Sequence, residues 1–499
     1  MYKFMKSLVV IVVVVTLSAC AATPTISDHL QLVHITLPPG DPNSDIHLAR
    51  VSGGGIDYGR DVTCDIDDAC TLFGDTFKSF GETTDFIAVH LDSSGAVTWA
   101  RTYGGTNKDT LWRAIKTKDQ GHLLIGTSES LFFTGLKVLN PQGHRRPFIL
   151  KLDKEGHMQW AKTLDIRYGD AGISGATQDP DGNYILVGKF YVNLTLPDQR
   201  SKEEEQWQWM GGNPTPNNDK GYRRDILVLK LSADGRPIFM NRYIPNNNIS
   251  VGASVSAMPN GHVLIAGQEE ILGADKKNPL LLETDRNPLL LEIDSNGQPV
   301  RAESFKSGMD EYPNFIFRQP GGGVVFAGTT SRNEEMPKIF SLWLNKEGEL
   351  QNARLYSNLK GLQVMNVTLG NDNKLAIAGR TFDNKADITG MAFAVNDNGI
   401  IDKSVSLSGQ KQLEFDGIWP LAGGGYLLVG DTVGFGASYT DIITAVWASN
   451  TKSEFPIDKS SYVPSVELCT IDIMSGDLKS VTNIPVSFVE MTDVKVSGK

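Results

Sequence analysis

The chain has 499 residues, 40% of them hydrophobic, 21% charged, and 50 of them glycine. That is ample apolar material for a sizeable core, with the glycine content of a turn-rich protein. A formal net charge of −11 provides no basic face for a phosphate backbone, so no nucleic-acid partner is expected, and broad binding to anionic lipid is disfavoured.

Residues 1–20 read as a targeting segment. Lys3 and Lys6 precede an apolar run over 8–17, too short to span a bilayer, which needs about 20 residues. The run ends in Leu17-Ser18-Ala19-Cys20, which resembles the bacterial lipobox and implies cleavage before Cys20 and acylation of that cysteine; the alternative is an ordinary signal peptide cut near Ala22. Acyl chains anchor through about 0.8 kcal/mol per buried CH₂. The resemblance implies a membrane partner through this anchor, and Ala21 after the cysteine favours the outer membrane of a Gram-negative envelope. Residues 21–45 carry Pro24, Pro38, Pro39 and Pro42 and read as a tether with one strand at 30–37.

From residue 46 to 450 the chain repeats itself. Residues 86–91 form a nearly unbroken apolar run, Asp92-Ser93-Ser94-Gly95 is turn chemistry, and residues 97–103 return as a second strand before Gly104-Gly105. The turn recurs at Asp153-Lys154-Glu155-Gly156, Ala233-Asp234-Gly235, Asp294-Ser295-Asn296-Gly297, Asn345-Lys346-Glu347-Gly348 and Asn396-Asp397-Asn398-Gly399. An upstream hairpin in each unit closes on a glycine: Gly74, Gly126, Gly188, Gly267, Gly328, Gly379 and Gly430. A period near fifty residues, four strand signals per unit and no helical periodicity predict an all-β, seven-bladed β-propeller. The seventh unit lacks a final strand after 441–448, while Ile46-His47-Leu48-Ala49-Arg50 resembles Val97-Thr98-Trp99-Ala100-Arg101. Residues 46–51 are therefore expected to complete the last blade and seal the ring.

These segments resemble the repeats of a large bacterial and archaeal family, the seven-bladed propeller (SBBP) or delta-60-type repeats. The likeness rests on residues 74–105 and on Gly430-Asp431-Thr432 with the strand at 441–448, and spans about 46–450. It implies the propeller fold and says almost nothing of activity. The tryptophans at Trp99 and Trp160 have no counterpart in the fourth to sixth units.

Cys64 and Cys70 flank the turn of the first upstream hairpin. Facing strand positions suit a disulfide and an exported compartment permits one; the alternative is two reduced, buried thiols. Cys469 is left unassigned.

Three insertions lie between the second and third strands of a blade, at 128–146, 191–224 and around a local duplication, Asn278-Pro279-Leu280 and Asn287-Pro288-Leu289. The second copy keeps the spacing to Gly297 and is expected to be the core strand. Trp207 and Trp209, on the longest insertion, are candidates for a sugar- or peptide-binding platform; the alternative is that they staple the loop to its own blade. Residues 451–499 read as a short β extension that packs on the propeller or pairs with a partner.

No nucleophile elbow, zinc motif or calcium loop with full ligand spacing occurs, so no catalytic residue, metal or cofactor is assigned. The remaining signal is positional. Counting back from the closing glycines places Asp57, Asp109 and Glu311 at equivalent sites of three blades, with Asp170 one place off and Ser250, Leu362 and Leu413 elsewhere. Solvated loop carboxylates are one reading; an incomplete acidic ring at the channel mouth is the other. The expectation for function is a lipid-anchored, non-enzymatic binding or scaffold protein with an envelope protein or glycan as ligand. The alternatives are a polysaccharide hydrolase or lyase using the acidic ring, and a propeller resembling the lipid-anchored subunit of the outer-membrane protein assembly machine.

Overall fold

The computed structural model describes residues 47–448 apart from loop segments, the longest of which are 130–145, 194–221 and 275–281, together with the backbone of residues 31–35 and of five strands between 465 and 498. Residues 1–30, which include Cys20, and the positions of Trp207, Trp209 and Cys469 lie outside the described residues.

Seven antiparallel sheets form the blades of a propeller. Blade 1 spans 56–104, blade 2 109–165, blade 3 170–245, blade 4 249–306, blade 5 310–357 and blade 6 362–407. Blade 7 takes its three inner strands from 413–448 and its fourth from His47–Ser52, which pairs with Asp441–Ala448. The ring is thus closed by the N-terminal strand, as the repeat predicts.

The register of that closing strand differs from the sequence match by one residue. Ile443 stands where Ile87 does in blade 1, and it faces Arg50 where Ile87 faces Thr102. Val51 therefore occupies the place of Tyr103, and Leu48 that of Ala100. Leu48 is 2% exposed and Val51 fully buried. Matching Gly53-Gly54 to Gly104-Gly105 would have turned Ala49 and Ser52 inward instead. A one-residue slip exchanges the two faces of a strand, and burial of the larger apolar side chains decides the register.

Apolar clusters fill the spaces between neighbouring blades. Phe73, Phe86 and Tyr103 of blade 1 meet Leu124, Phe148 and Leu150 of blade 2, and Phe415 and Trp447 of blade 7 meet Ala378 and Ala392 of blade 6. Turn chemistry follows the sequence closely. The carboxylate of Asp92 accepts from the amides of Ser94 and Ala96, and Asp294 and Asn345 repeat the arrangement. Gly95, Gly156, Gly235, Gly297, Gly348 and Gly399 all have positive φ. These acidic turns are thereby explained as structural caps.

The same glycines serve a second purpose. Tyr103 donates to the carbonyl of Gly156 in the next blade at 2.6 Å, Tyr243 to Gly297 at 2.6 Å and Tyr356 to Gly399 at 2.9 Å. The Trp99 ring lies against Gly156 and the Trp160 ring against Gly235, so closely that a Cβ would stand 2.7 Å and 2.9 Å from ring carbons. Phe239 takes this role over Gly297 and Arg301 over Gly348. The tryptophan of the repeat is therefore a lid on the neighbouring blade's turn, and other side chains fill that place where the repeat diverges.

Cys64 and Cys70 are cross-strand partners and form a disulfide. At the turn they flank, Asp68 accepts from the amides of Ala422 and Gly423, clasping blade 1 to blade 7. The second copy of the local duplication is the core strand, with Leu289 opposite Gly267.

The C-terminal extension packs on the propeller, in reverse blade order. Ser465–Leu468 pairs with the outer strand of blade 5, Asp472–Ser475 with that of blade 4, Leu478–Asn483 with blade 3, Ser487–Glu490 with blade 2 and Lys495–Gly498 with blade 1. Gln31–Ile35 adds a fifth strand to blade 7. Strand addition satisfies the main-chain groups of an outer edge that would otherwise face other chains.

Candidate functional site

Every innermost strand carries a β-bulge at the same level, just beyond the partner of its closing glycine. The bulged residues are Arg60, Trp112, Ser174, Ala253, Asn314, Met365 and Asp416. A bulge re-aims the side chains beside it, and here it brings together groups from blades that do not touch through their sheets.

One group lies deeper in the ring. Asp61 follows the bulge of blade 1. Its carboxylate accepts from the Ala114 amide of blade 2 at 3.0 Å and from Asn366 Nδ2 of blade 6 at 3.1 Å. Reaching blade 6 means passing blade 7, whose residue at this level is Gly417; a Cβ there would stand 3.0 Å from the Asp61 Cα. Arg113 of blade 2 lies over the Phe315 ring of blade 5, 4.5 Å from its centroid, and reaches the Met365 carbonyl of blade 6 at 3.4 Å. Burial pushes the Asp61 carboxyl up and the Arg113 guanidinium down, each opposed by the charge of the other. Side chains from blades 1, 2, 5 and 6 thus cross the axis and stopper it.

A second group lies nearer the end where the innermost strands begin. Asp75 and Asp431 each directly follow a closing glycine, in blades 1 and 7. Glu414 is the cross-strand partner of Asp431, and Asp416 is the bulged residue. Arg60 of blade 1 donates to Asp75 at 3.2 Å and to Asp416 at 2.8 Å. Arg380 of blade 6 donates to Glu414 and, at 3.0 Å, to Gln363. The guanidiniums are partly exposed, with side-chain exposures of 29% and 22%. The carboxylates beneath are not: Asp75 is 1% exposed, Glu414 5%, Asp416 3% and Asp431 0%.

The electrostatics are lopsided. Four carboxylates face two guanidiniums. Burial pushes Asp75 up to about 6, against the pull of Arg60. Burial and then Glu414 push Asp416 up to about 6, with Arg60 and Arg380 opposing. Asp431 is raised well above the carboxylate range by burial, Glu414 and Asp416. Burial works against the Arg60 charge, but Asp75, Asp416 and Asp431 together outweigh it. One oxygen of Asp416 and both of Asp431 are buried with no hydrogen-bond donor. Buried acceptors in that condition are rare and costly.

The acids expected at the channel mouth are placed differently. Asp57, Asp109 and Glu311 do occupy equivalent positions of blades 1, 2 and 5, opposite Thr76, Ser128 and Thr330. They are buried at 1%, 0% and 3% exposure, so neither loop placement nor solvation holds. Their strands begin there, and two of them bond to residues that flank strands of the preceding blade: the Asp57 amide donates to the Thr440 carbonyl at 2.8 Å, and Asp109 accepts from the Gly105 amide at 2.7 Å. The carboxylates gathered around Arg60 and Arg380 come instead from Glu414 and Asp416, one and three residues beyond the equivalent Leu413, and from Asp75 and Asp431 on the second strands. The signal was present in the sequence: among the seven units only blades 1 and 7 carry Asp after the closing glycine, in Gly74-Asp75-Thr76 and Gly430-Asp431-Thr432.

No family model and no curated protein matches this chain. A solved structure of a protein of unknown function from Dyadobacter fermentans DSM 18053 is similar, with 13% identity and a TM-score of 0.43, covering 67% of this chain and 92% of that one.

Proposed function

We propose that the protein is a lipid-anchored propeller of the cell envelope that acts as a non-enzymatic binding or scaffold protein, held at the outer membrane through acylated Cys20. The observation that supports this most is topological. Blades 2, 3 and 4 are consecutive, and all three place their long insertions in the connection from second to third strand. That connection emerges at the end of the disc where the innermost strands begin. The connections of three adjacent blades leave the same end of a rigid frame, a placement suited to recognition, and residues 194–221 include Trp207 and Trp209, residue types suited to stacking on a glycan or gripping a peptide. The stoppered axis supports the same reading, because side chains fill the middle of the channel.

The test is replacement of residues 197–219 by a short Gly-Ser linker, alongside the double variant Trp207→Ala/Trp209→Ala. Cross-linked membranes from wild-type cells are expected to yield an envelope partner, or a glycan array a ligand, and both variants should lose it while keeping an all-β circular dichroism spectrum. Unchanged capture by both variants sinks the recognition surface. Turnover of a polysaccharide panel that disappears in Asp57→Asn/Asp109→Asn would establish the hydrolase alternative instead. Cys20→Ser is expected to release the chain from the membrane fraction.

A further inference from the structure

We infer that Glu414, Asp416 and Asp431 form a binding site for one calcium ion, independent of the loop surface proposed above. Each of the three offers a carboxylate oxygen, and these oxygens lie within 4.8 Å of one another. Oxygens around one Ca²⁺ sit at about 2.3–2.6 Å from it, and so at most about 5 Å apart.

Proximity of acids alone would not make a site. The decisive observation is Asp431, which is fully buried and receives no hydrogen bond from any amide, hydroxyl or guanidinium, its one polar neighbour within hydrogen-bond reach being the Glu414 carboxyl. At the equivalent place in blade 1, Asp75 accepts from the Leu111 amide of the following blade at 2.7 Å, and in blade 5 Thr329 accepts from the Val364 amide. Asp431 has forgone that clamp and is turned toward Glu414 and Asp416. The flanking arginines do not take every carboxylate oxygen. Arg60 takes one oxygen of Asp416, and the other has no donor; Arg380 takes one oxygen of Glu414.

The charge count gives the valence. With their protons displaced by the cation, Asp75, Glu414, Asp416 and Asp431 carry four negative charges, and Arg60 and Arg380 return two. A divalent cation makes the cluster neutral, and carboxylate oxygens select a hard one. Three carboxylates fixed on one rigid strand pair suit the irregular shell of Ca²⁺, with waters completing it. Mg²⁺ demands a near-ideal octahedron at about 2.0–2.1 Å. The part-exposed guanidiniums mark the route from solvent.

The experiment is calorimetric titration of the mature full-length protein, stripped with EDTA, with CaCl₂ and separately with MgCl₂. One Ca²⁺ per chain is expected, with Tm rising by about 3 °C at saturation. Asp431→Asn should weaken binding at least tenfold, while its Tm in EDTA equals or exceeds that of the wild type. Should that variant misfold, Glu414→Gln provides the same readout. The inference fails if the stripped protein takes up no Ca²⁺ and its Tm is the same in EDTA and CaCl₂. It fails equally if Mg²⁺ binds in preference. Loss of binding in Asp153→Asn with none in Asp431→Asn would move the ion to the exposed cluster of Asp153, Glu155 and His157, and also overturns it.

Discussion

Two buried charged groups occupy the axis within a few residues of each other, and they solve the problem of burial in opposite ways. Around Asp61 the donors are supplied: the Ala114 amide, Asn366 and the charge of Arg113 all converge on one carboxylate. Around Asp431 they are not, and carboxylate faces carboxylate. Both groups arise from the same bulge, repeated in seven blades. The difference teaches that the bulge only delivers side chains to the axis; whether the result is a structural stopper or a binding site depends on how many donors arrive with the acids.

Removing a member of the supplied group should cost most. Asp61→Ala deprives Arg113, buried over Phe315, of the larger of its two counter-charges and strips Asn366 of its acceptor. Loss of one partner of a buried pair costs about 3–5 kcal/mol, and chemical denaturation should show it as a lower midpoint with an unchanged m-value.

Asp75 tests the boundary between the groups by pH. Its folded carboxyl titrates near 6, while the unfolded one titrates near 4. Between those values the native state holds a proton that the unfolded chain has released. This contribution is therefore full below about pH 4 and disappears as pH rises through about 6, on the order of 3 kcal/mol in total. With Ca²⁺ absent, wild-type Tm is expected to rise on going from pH 7 to 5, and Asp75→Asn should flatten that slope. A slope preserved in the variant would assign the effect elsewhere.

A supplied but uncharged bond should matter less. Tyr103→Phe removes the hydroxyl that reaches the Gly156 carbonyl and is expected to cost about 1 kcal/mol, measured by the same denaturation. The smallest effect is expected where acceptors are already in excess. Asp431→Asn in EDTA should change stability by less than about 0.5 kcal/mol, or raise it, because it relieves the crowding of buried carboxyls and adds a donor. A loss as large as that of Asp61→Ala would erase the distinction between the two groups.

The blade count, the strand turns, the disulfide and the closure by a segment near residue 46 were legible in the sequence, because each is set by local chemistry: an Asp that caps its own turn, a glycine that takes positive φ, two cysteines across one hairpin. The register of the closing strand was not. Gly53-Gly54 resembled Gly104-Gly105 locally, and only the packing of Leu48 and Val51 between blades chose the neighbouring alignment. The acids at Asp57, Asp109 and Glu311 were correctly seen as equivalent, and of their two readings the solvated one fails, since a one-dimensional count cannot tell the end of a strand from the loop before it. What the tertiary structure alone decided is which distant residues share the axis, such as Asp61 with Asn366 and Arg380 with Glu414, and where the C-terminal strands attach. Those contacts join positions hundreds of residues apart or on different blades, and they exist only because ring closure brings every innermost strand to a common centre and every outer strand to a common rim.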